Sequence, residues 1–371
     1  MSNYRFGDVF GVEMEYMIVD KTTLDVRPLA DILLGNVDEV GHGPITWCNE
    51  LVAHVIELKV TEPVSSLVGL ADVFQDHVRL VNTLLEPHHA MLLPGAMHPW
   101  MDPYKEMVLW PHGYSEIYAA FDHIFDCRGH GWANLQSTHL NLPFSGDEEF
   151  ARLHAAIRMV LPLIPAIAAS SPIRDGKKSD QLDGRLHVYK SNSARIPSIS
   201  GLVIPEPVFS QQDYEDKILK PMYADIAPFD TDVILQEEWL NSRGAIARFD
   251  RNAIEIRVTD IQECPAADVA IVMMIYRAVR HFMERFDEIR DTPTEALAEL
   301  LNQTIRVGGR ATYENGTVMD FWKALPNNGV GEAIHVIFEH GSLAERLLRH
   351  RDLKSAYRQL SNCLNAGTMF Q

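Results

Sequence analysis

The sequence of 371 residues predicts an α+β fold, with an antiparallel sheet packed by helices on one face and open on the other. Three observations carry that expectation. Segments near 11–16, 51–60, 137–142 and 253–260 alternate apolar and polar residues at period two, as strands with one buried face do. Stretches at 67–85, 148–169 and 265–286 place apolar residues at helical spacing or nearly all round. The polar face of each of the four strands carries carboxylates, a His or an Arg, and an open sheet face would gather them into one wet trough.

Composition sets the bounds. A chain of this length that is 46% hydrophobic can bury a large core, read here as a single domain over 1–371, with a catalytic sheet and helices at about 6–285 and a helical C-terminal portion at about 286–371. A net charge of -18 argues against nucleic acid and anionic membrane as partners. Cys48, Cys127, Cys264 and Cys363 are scattered without zinc spacing, as expected of reduced thiols in a cytoplasmic protein. The N-terminal Met-Ser-Asn-Tyr-Arg lacks the apolar run of a signal peptide, and no apolar stretch approaches the ~18 residues of a membrane span. Small-molecule substrates are the expected partners, and a homo-oligomer is left open.

Taken in order, the first strand is Gly11-Val12-Glu13-Met14-Glu15-Tyr16, with Glu13 and Glu15 on one face. Two carboxylates so close repel unless a cation lies between them, and hard oxygen ligands suit Mg²⁺ or Mn²⁺. Asp20 to Gly43 is turn-rich. Leu51–Val60 reads as a second strand with Val55, Glu57 and Lys59 on one side. A helix over Leu67–Leu85 follows, then a Pro-rich connection at 94–111 and a short helix at Tyr114–Asp126. The third strand, Ser137–Leu142, turns Ser137, His139 and Asn141 one way, and a long apolar helix runs from about Glu148 to Ala169.

The segment from Arg174 to Arg195 carries six basic residues against three aspartates, a local excess of +3, with glycines that keep it loop-like. It reads as a clamp for phosphate or carboxylate, Arg185 and Arg195 more than the lysines such as Lys190. Val233–Trp239 and Ala245–Phe249 are expected strands. In Ala253–Asp260, Glu255, Arg257 and Thr259 share a face opposite Ile254, Ile256 and Val258. Pro265 opens a buried helix to about Phe286. Residues 306–331 read as a Gly/Asn-rich loop, and Ser342–Cys363 as an amphipathic helix.

Any one of these strands is explained as a solvated face. Four together are not. Glu13, Glu15, Glu57, His139 and Glu255 form a donor set of carboxylates with one imidazole and no thiolate, which favours hard octahedral cations. Arg257 beside Glu255 can meet a phosphate. The sequence has neither G-x-x-x-x-G-K-[ST] nor G-x-G-x-x-G, and no nucleophile elbow. A nucleotide would therefore bind over the sheet and not at a Gly-rich turn.

Gly11-Val12-Glu13-Met14-Glu15, Glu50-Leu51-x-x-His54-Val55-Ile56-Glu57-Leu58, the His139 strand, Ala169-Ser170-Ser171-Pro172 and Glu255-Ile256-Arg257-Val258-x-Asp260 together resemble the glutamate–cysteine ligase family 2, carboxylate–amine ligases related to glutamine synthetase. The resemblance spans about residues 6–285. It implies a glutamine synthetase-like antiparallel sheet funnel with helices outside, ATP at one end, and Mg²⁺ (or Mn²⁺) held by Glu13, Glu15, Glu57, His139 and Glu255. It further implies that Arg257 and Arg248 face phosphate, and that Arg185 or Arg195 touches substrate or phosphate. Where family members often read His-Val-His, this strand reads Ser137-Thr138-His139.

The implied reaction is ATP-dependent amide formation through an acyl phosphate, with the γ-carboxyl of glutamate as acid and cysteine or another amine as acceptor. A metal-dependent hydrolase or phosphatase on the same carboxylates, and a nucleotide- or amino-acid-binding protein without turnover, are the alternatives.

Overall fold

The computed structural model describes residues 4–371; Met1, Ser2 and Asn3 of the stretch read for a signal peptide lie outside them. Strands β1 (Gly11–Asp20), β2 (Glu39–His42), β3 (Ile45–Asn49), β4 (Val55–Val60), β5 (Ala90–Leu93) and β6 (Ser137–Pro143) come first. A two-residue hairpin, β7 (Ile173–Arg174) with β8 (Lys177–Lys178), precedes β9 (Ala245–Arg248) and β10 (Ala253–Asp260). The main sheet has eight strands in the order β2-β3-β4-β1-β6-β10-β9, with β5 also on β1, and every pairing is antiparallel. The expected α+β class holds. The sheet is open, so its trough is an open face and not a closed funnel.

β1 is the hub. Its first half pairs with β6, its middle with β4 and its end with β5. Val12, Met14, Tyr16 and Ile18 are fully buried on one side. Phe74, Val78 and Val81 of the helix Leu70–Leu85 share their core, as do Phe150, Leu153 and Ile157 of Gly146–Val160 and Ile271 and Ile275 of Pro265–Met283. The period-two pattern thus gives one face to the helices and leaves the other for chemistry. No helix of the described residues is long and apolar enough to cross a membrane.

The β1–β6 contact is tight. Gly11 faces Asn141, and a Cβ added at Gly11 would stand 2.9 Å from the Asn141 Cβ. Gly11→Ala should therefore push the strands apart and cost about 1–3 kcal/mol. Denaturant unfolding checks this, and an unchanged midpoint would mean that the pair opens freely.

Several expectations are corrected. Asp20–Gly43 contains a one-turn helix, Ala30–Leu34, closed by Gly35 at φ 64°, and the edge strand β2. β3 and β5 were not expected at all, and only Val55–Val60 of the second strand enters the ladder. The helix from Gly146 stops at Val160, since Pro162 falls in the next turn, and a short helix Pro165–Ala168 follows.

Val233–Trp239 is not a strand. Val233 sits at φ 56°, and the Asp230 carboxylate takes the N–H groups of Ile234 and Leu235 that a ladder would need. The 306–331 segment is structured: a hairpin pairs Thr312 with Thr317, and a helix Val318–Ala324 starts from a Thr317/Asp320 capping box. Trp322 of that helix is fully buried and donates to the Leu163 carbonyl. The C-terminal helix is two, Leu343–Leu347 and Leu353–Ala366, each with its own side-chain cap.

Candidate active site

Cross-strand register builds the site. Glu13 lies opposite Lys59 on one neighbour and His139 on the other, while Glu15 lies opposite Glu57. Directly opposed residues turn to the same side of a sheet, so these groups converge on the open face. β10 adds Glu255, opposite Asn141.

A bulge then breaks the β10–β6 register between Ile256 and Thr259, so that Arg257 and Val258 together span one position. This corrects one expectation. Thr259 pairs with Thr138, whose hydroxyl donates to Asp268 of the core helix, so Thr259 leaves the trough face. Asp260 opposes Ser137 in its place.

His139 is the centre of the cluster. Its Nδ1 lies 3.0 Å from Glu13 Oε2 and 3.7 Å from Glu255 Oε1, and its Nε2 lies 3.6 Å from Glu15 Oε1. The Ser137 N–H and hydroxyl donate to Glu15 Oε2 at 2.7 and 3.0 Å. Asn141 donates to Glu13 Oε1 at 3.1 Å. Two sets, Glu13/His139/Glu255 and Glu15/Glu57/His139, each bring donor atoms within 4.8 Å of one another.

The electrostatics show a cluster short of positive charge. Burial pushes Glu57 well above the usual carboxylate range, and the Glu13, Glu50 and Glu15 carboxylates push it further. Burial and Glu15 raise Glu50 to about 8. Burial opposes charge on Glu13 too, but its bond to His139, with Lys59 and Arg257 nearby, lowers it to about 2. Burial disfavours the His139 imidazolium as well, yet Glu13, Glu15 and Glu255 outweigh that and raise its pKa. Hard carboxylate oxygens with one imidazole and no thiolate fit Mg²⁺ or Mn²⁺, whose binding would displace protons from the same groups.

Two cavities meet at this cluster. The larger, about 940 Å³, runs along the open sheet face past Glu13, Glu57, Lys59, Arg248 and Glu255. The smaller, about 210 Å³, is lined by Glu15, Ser137, Arg185 and the aromatic rings of Trp132, Tyr189 and Trp239. Glu50, His139 and Arg257 line both.

Arg257 Nε is 3.0 Å from Glu255 Oε1, and Arg248 Nη1 is 3.9 Å from Glu255 Oε2. The predicted residues Glu13, Glu15, Glu57, His139, Glu255, Arg248, Arg257 and Arg185 thus come together around the junction. Lys190 and Arg195 do not. Lys190 Nζ donates to Asn302 Oδ1 at 2.6 Å, and the exposed Arg195 donates to the Ile124 carbonyl and lies over the Phe229 ring.

The basic segment is a hairpin and a helix, Gly184–Tyr189, capped by Asp183, and of it Arg185, Tyr189 and Asn192 line the smaller cavity. Sequence reasoning missed Glu50, Lys59, Asn141, Asp250 and Arg251 as lining residues. Lys59 and Asn141 could have been found, because each shares the polar face of a strand that already carries a proposed ligand. Glu50 follows a strand that was not expected.

Comparison with known proteins gives the family and the fold. The model of a family described as glutamate–cysteine ligase family 2 matches residues 9–360. An uncharacterized protein of Archaeoglobus fulgidus is 33% identical over 379 residues, covering 98% of this chain and all of that protein. A Rubrobacter xylanophilus protein with the provisional name glutamate–cysteine ligase 2-3 is 25% identical over 184 residues, 48% of this chain and 47% of its own length. Among solved structures, a Francisella tularensis glutamate–cysteine ligase in complex with AMP superposes with a TM-score of 0.62 at 12% identity, covering 98% of this chain and 90% of that one. At that identity the likeness speaks for the fold.

Proposed function

The chain belongs to the glutamate–cysteine ligase family 2, and from that premise we propose that it is an ATP-dependent carboxylate–amine ligase that forms an amide through an acyl phosphate. Glutamate, reacting at its γ-carboxyl, is the proposed acid, and cysteine or another amine the acceptor. One observation carries the reading: two cavities of unequal size open onto a shared set of Glu50, His139 and Arg257. The larger lies within the ~300–1,000 Å³ of typical ligand sites and takes the nucleotide; the Francisella tularensis protein, alike in fold, is in complex with AMP. The smaller takes an amino acid, so that the γ-phosphate and the carboxylate meet at the junction.

Glu13, Glu15, Glu57, His139 and Glu255 are the residues that would hold Mg²⁺ or Mn²⁺. A bound cation supplies neutralisation of phosphate charge and a template for in-line displacement. Arg257 and Arg248, flanking Glu255, direct guanidinium N–H groups at the oxygens of the transferring phosphoryl group. A carboxylate oxygen of the acid forms a bond to the γ-phosphorus as the bond to ADP breaks. The amine nitrogen then bonds to the acyl carbon, phosphate leaves, and the nitrogen's surplus protons must be taken up. Glu50, which lines both cavities, is the carboxylate the junction offers for that transfer.

The test follows the oxygen. With ¹⁸O in the γ-carboxylate of glutamate, released phosphate should carry one labelled atom when a competent amine is present, and hydroxylamine should trap the activated acid as a hydroxamate. Unlabelled phosphate during amide formation would sink the acyl-phosphate route. Phosphate release without any acid would point to a hydrolase.

A further inference from the structure

The chemistry proposed above leaves Lys59 without a role, although the sheet carries it to the nucleotide. It lies on β4, with Thr46 of β3 opposite it on one side and Glu13 of β1 on the other. Glu13 in turn lies opposite His139. One row across the trough thus runs Thr46, Lys59, Glu13, His139, at about 4.8 Å per strand. Glu13 and His139 belong, with Glu255, to one of the two donor sets that a cation could join. A phosphate held by that cation lies one strand from Lys59, within reach of a flexible four-carbon arm.

The cations around the larger cavity are unevenly placed. Arg248 and Arg257 lie on β9 and β10 and Arg251 in the turn between them, all beyond β6 from the centre of the sheet. Among the described residues that line the cavity, Lys59 is the one cation on the opposite side, where Glu39, Glu57 and Glu62 would otherwise repel a polyphosphate. Its Nζ donates to Glu39 Oε2 at 3.1 Å. The two side chains are 33% and 64% exposed, and pairs so exposed hold weakly, so the ammonium can exchange that carboxylate for a phosphate. Arg257 lines both cavities and meets the transferring group at their junction, whereas Lys59 lines the larger alone. The phosphate within its reach is one that the nucleotide keeps.

We propose that Lys59 binds the β-phosphate of the nucleotide and is a catalytic residue that stabilises ADP as it departs. When the bond between the γ-phosphorus and the bridging oxygen breaks, the electron pair stays on that oxygen, and an ammonium beside the β-phosphate offsets the added charge. The proposal rests on the nucleotide half of the ligase reading and on no choice of acid or amine. The rival role, a charge partner for Glu13 across the strands, predicts altered metal binding and no change in discrimination among nucleotides.

Titration calorimetry with AMP, ADP and ATP in the presence of Mg²⁺ separates the two roles. Lys59→Met keeps the apolar stem and removes the charge. It should weaken ADP and ATP by about 10- to 100-fold, the scale of a charged hydrogen bond, and AMP by less than about twofold. Lys59→Arg, which keeps the charge, should bind ADP within about fivefold of wild type. Glu39→Gln removes the competing carboxylate and should tighten ADP by about two- to fivefold, a gain that vanishes once Lys59→Met is added. Turnover of Lys59→Met with glutamate and hydroxylamine at saturating ATP should fall by about tenfold, because the contact strengthens as charge reaches the leaving oxygen.

ADP bound as tightly by Lys59→Met as by wild type, or ADP and AMP weakened alike, overturns the proposal and leaves the ligase reading standing. Unchanged turnover beside weakened ADP binding overturns the leaving-group role. Wild-type protein that binds neither ADP nor ATP overturns the ligase reading and this proposal with it.

Discussion

Glu255→Gln should abolish metal-dependent ATP turnover, by about 100-fold or more, without lowering the unfolding midpoint. The side chain is 8% exposed, yet it faces the trough, with His139 Nδ1 3.7 Å and Arg257 Nε 3.0 Å away. Gln keeps its shape and removes a charge that the proposed cation would bond directly. Losing a ligand costs at least what losing its outer hydrogen-bond partner costs, about 10- to 100-fold, and a displaced phosphate contact adds to it.

Stability should change little, because the charge removed both crowds the neighbouring Glu13 carboxylate and pairs with Arg257. Glu15→Gln should behave alike, since Gln still accepts the two Ser137 donors through its carbonyl oxygen. Steady-state ATPase assays and a Mn²⁺ titration read the effect. Near-normal turnover and Mn²⁺ affinity in both variants would return these strands to an ordinary solvated face.

The parts of this site that the sequence made legible are those governed by the period of a strand. Alternation placed Glu13 and Glu15, Glu57 and Lys59, Ser137 and His139, and Glu255 and Arg257 on single faces, and the antiparallel sheet then brought the faces together. Period two fails where a strand adds a residue. The bulge at Arg257–Val258 exchanged Thr259 for Asp260 on the trough side, and nothing in Arg-Val-Thr-Asp signals that exchange.

What stayed hidden depends on contacts distant in sequence. β3 is short, begins two residues after Gly43, and carries Trp47, whose indole N–H finds His77 of a helix far along the chain. Glu50 lies at its end. In the basic segment, charge count alone could not separate Arg185, drawn inward by Asp260, from Lys190 and Arg195, which find acceptors elsewhere. The 306–331 stretch has the glycines and asparagines of a loop, but a capping box and one buried Trp hold it as packed structure.

Arg257→Lys should lower kcat by about 100-fold and leave KM for ATP within a few-fold. The backbone holds Arg257 in place whatever its side chain, because its N–H donates to the Gly244 carbonyl at 2.9 Å, continuing the β10–β9 register. Burial works against the charged guanidinium, but the Glu255 carboxylate, and behind it Glu15 and Glu50, keep it protonated at all working pH values. A lysine at this position would also be charged. It would offer a single ammonium where the planar fork can hold Glu255 through one edge and a phosphoryl oxygen through another.

That second contact grows as charge shifts onto the transferring group, so its loss falls on the chemical step more than on nucleotide binding. Single-turnover measurements with saturating ATP and glutamate isolate the step. A variant with normal kcat and a raised KM for glutamate alone would move Arg257 to substrate recognition, next to Arg185 in the smaller cavity, and leave Arg248 as the arginine of the trough that faces phosphate.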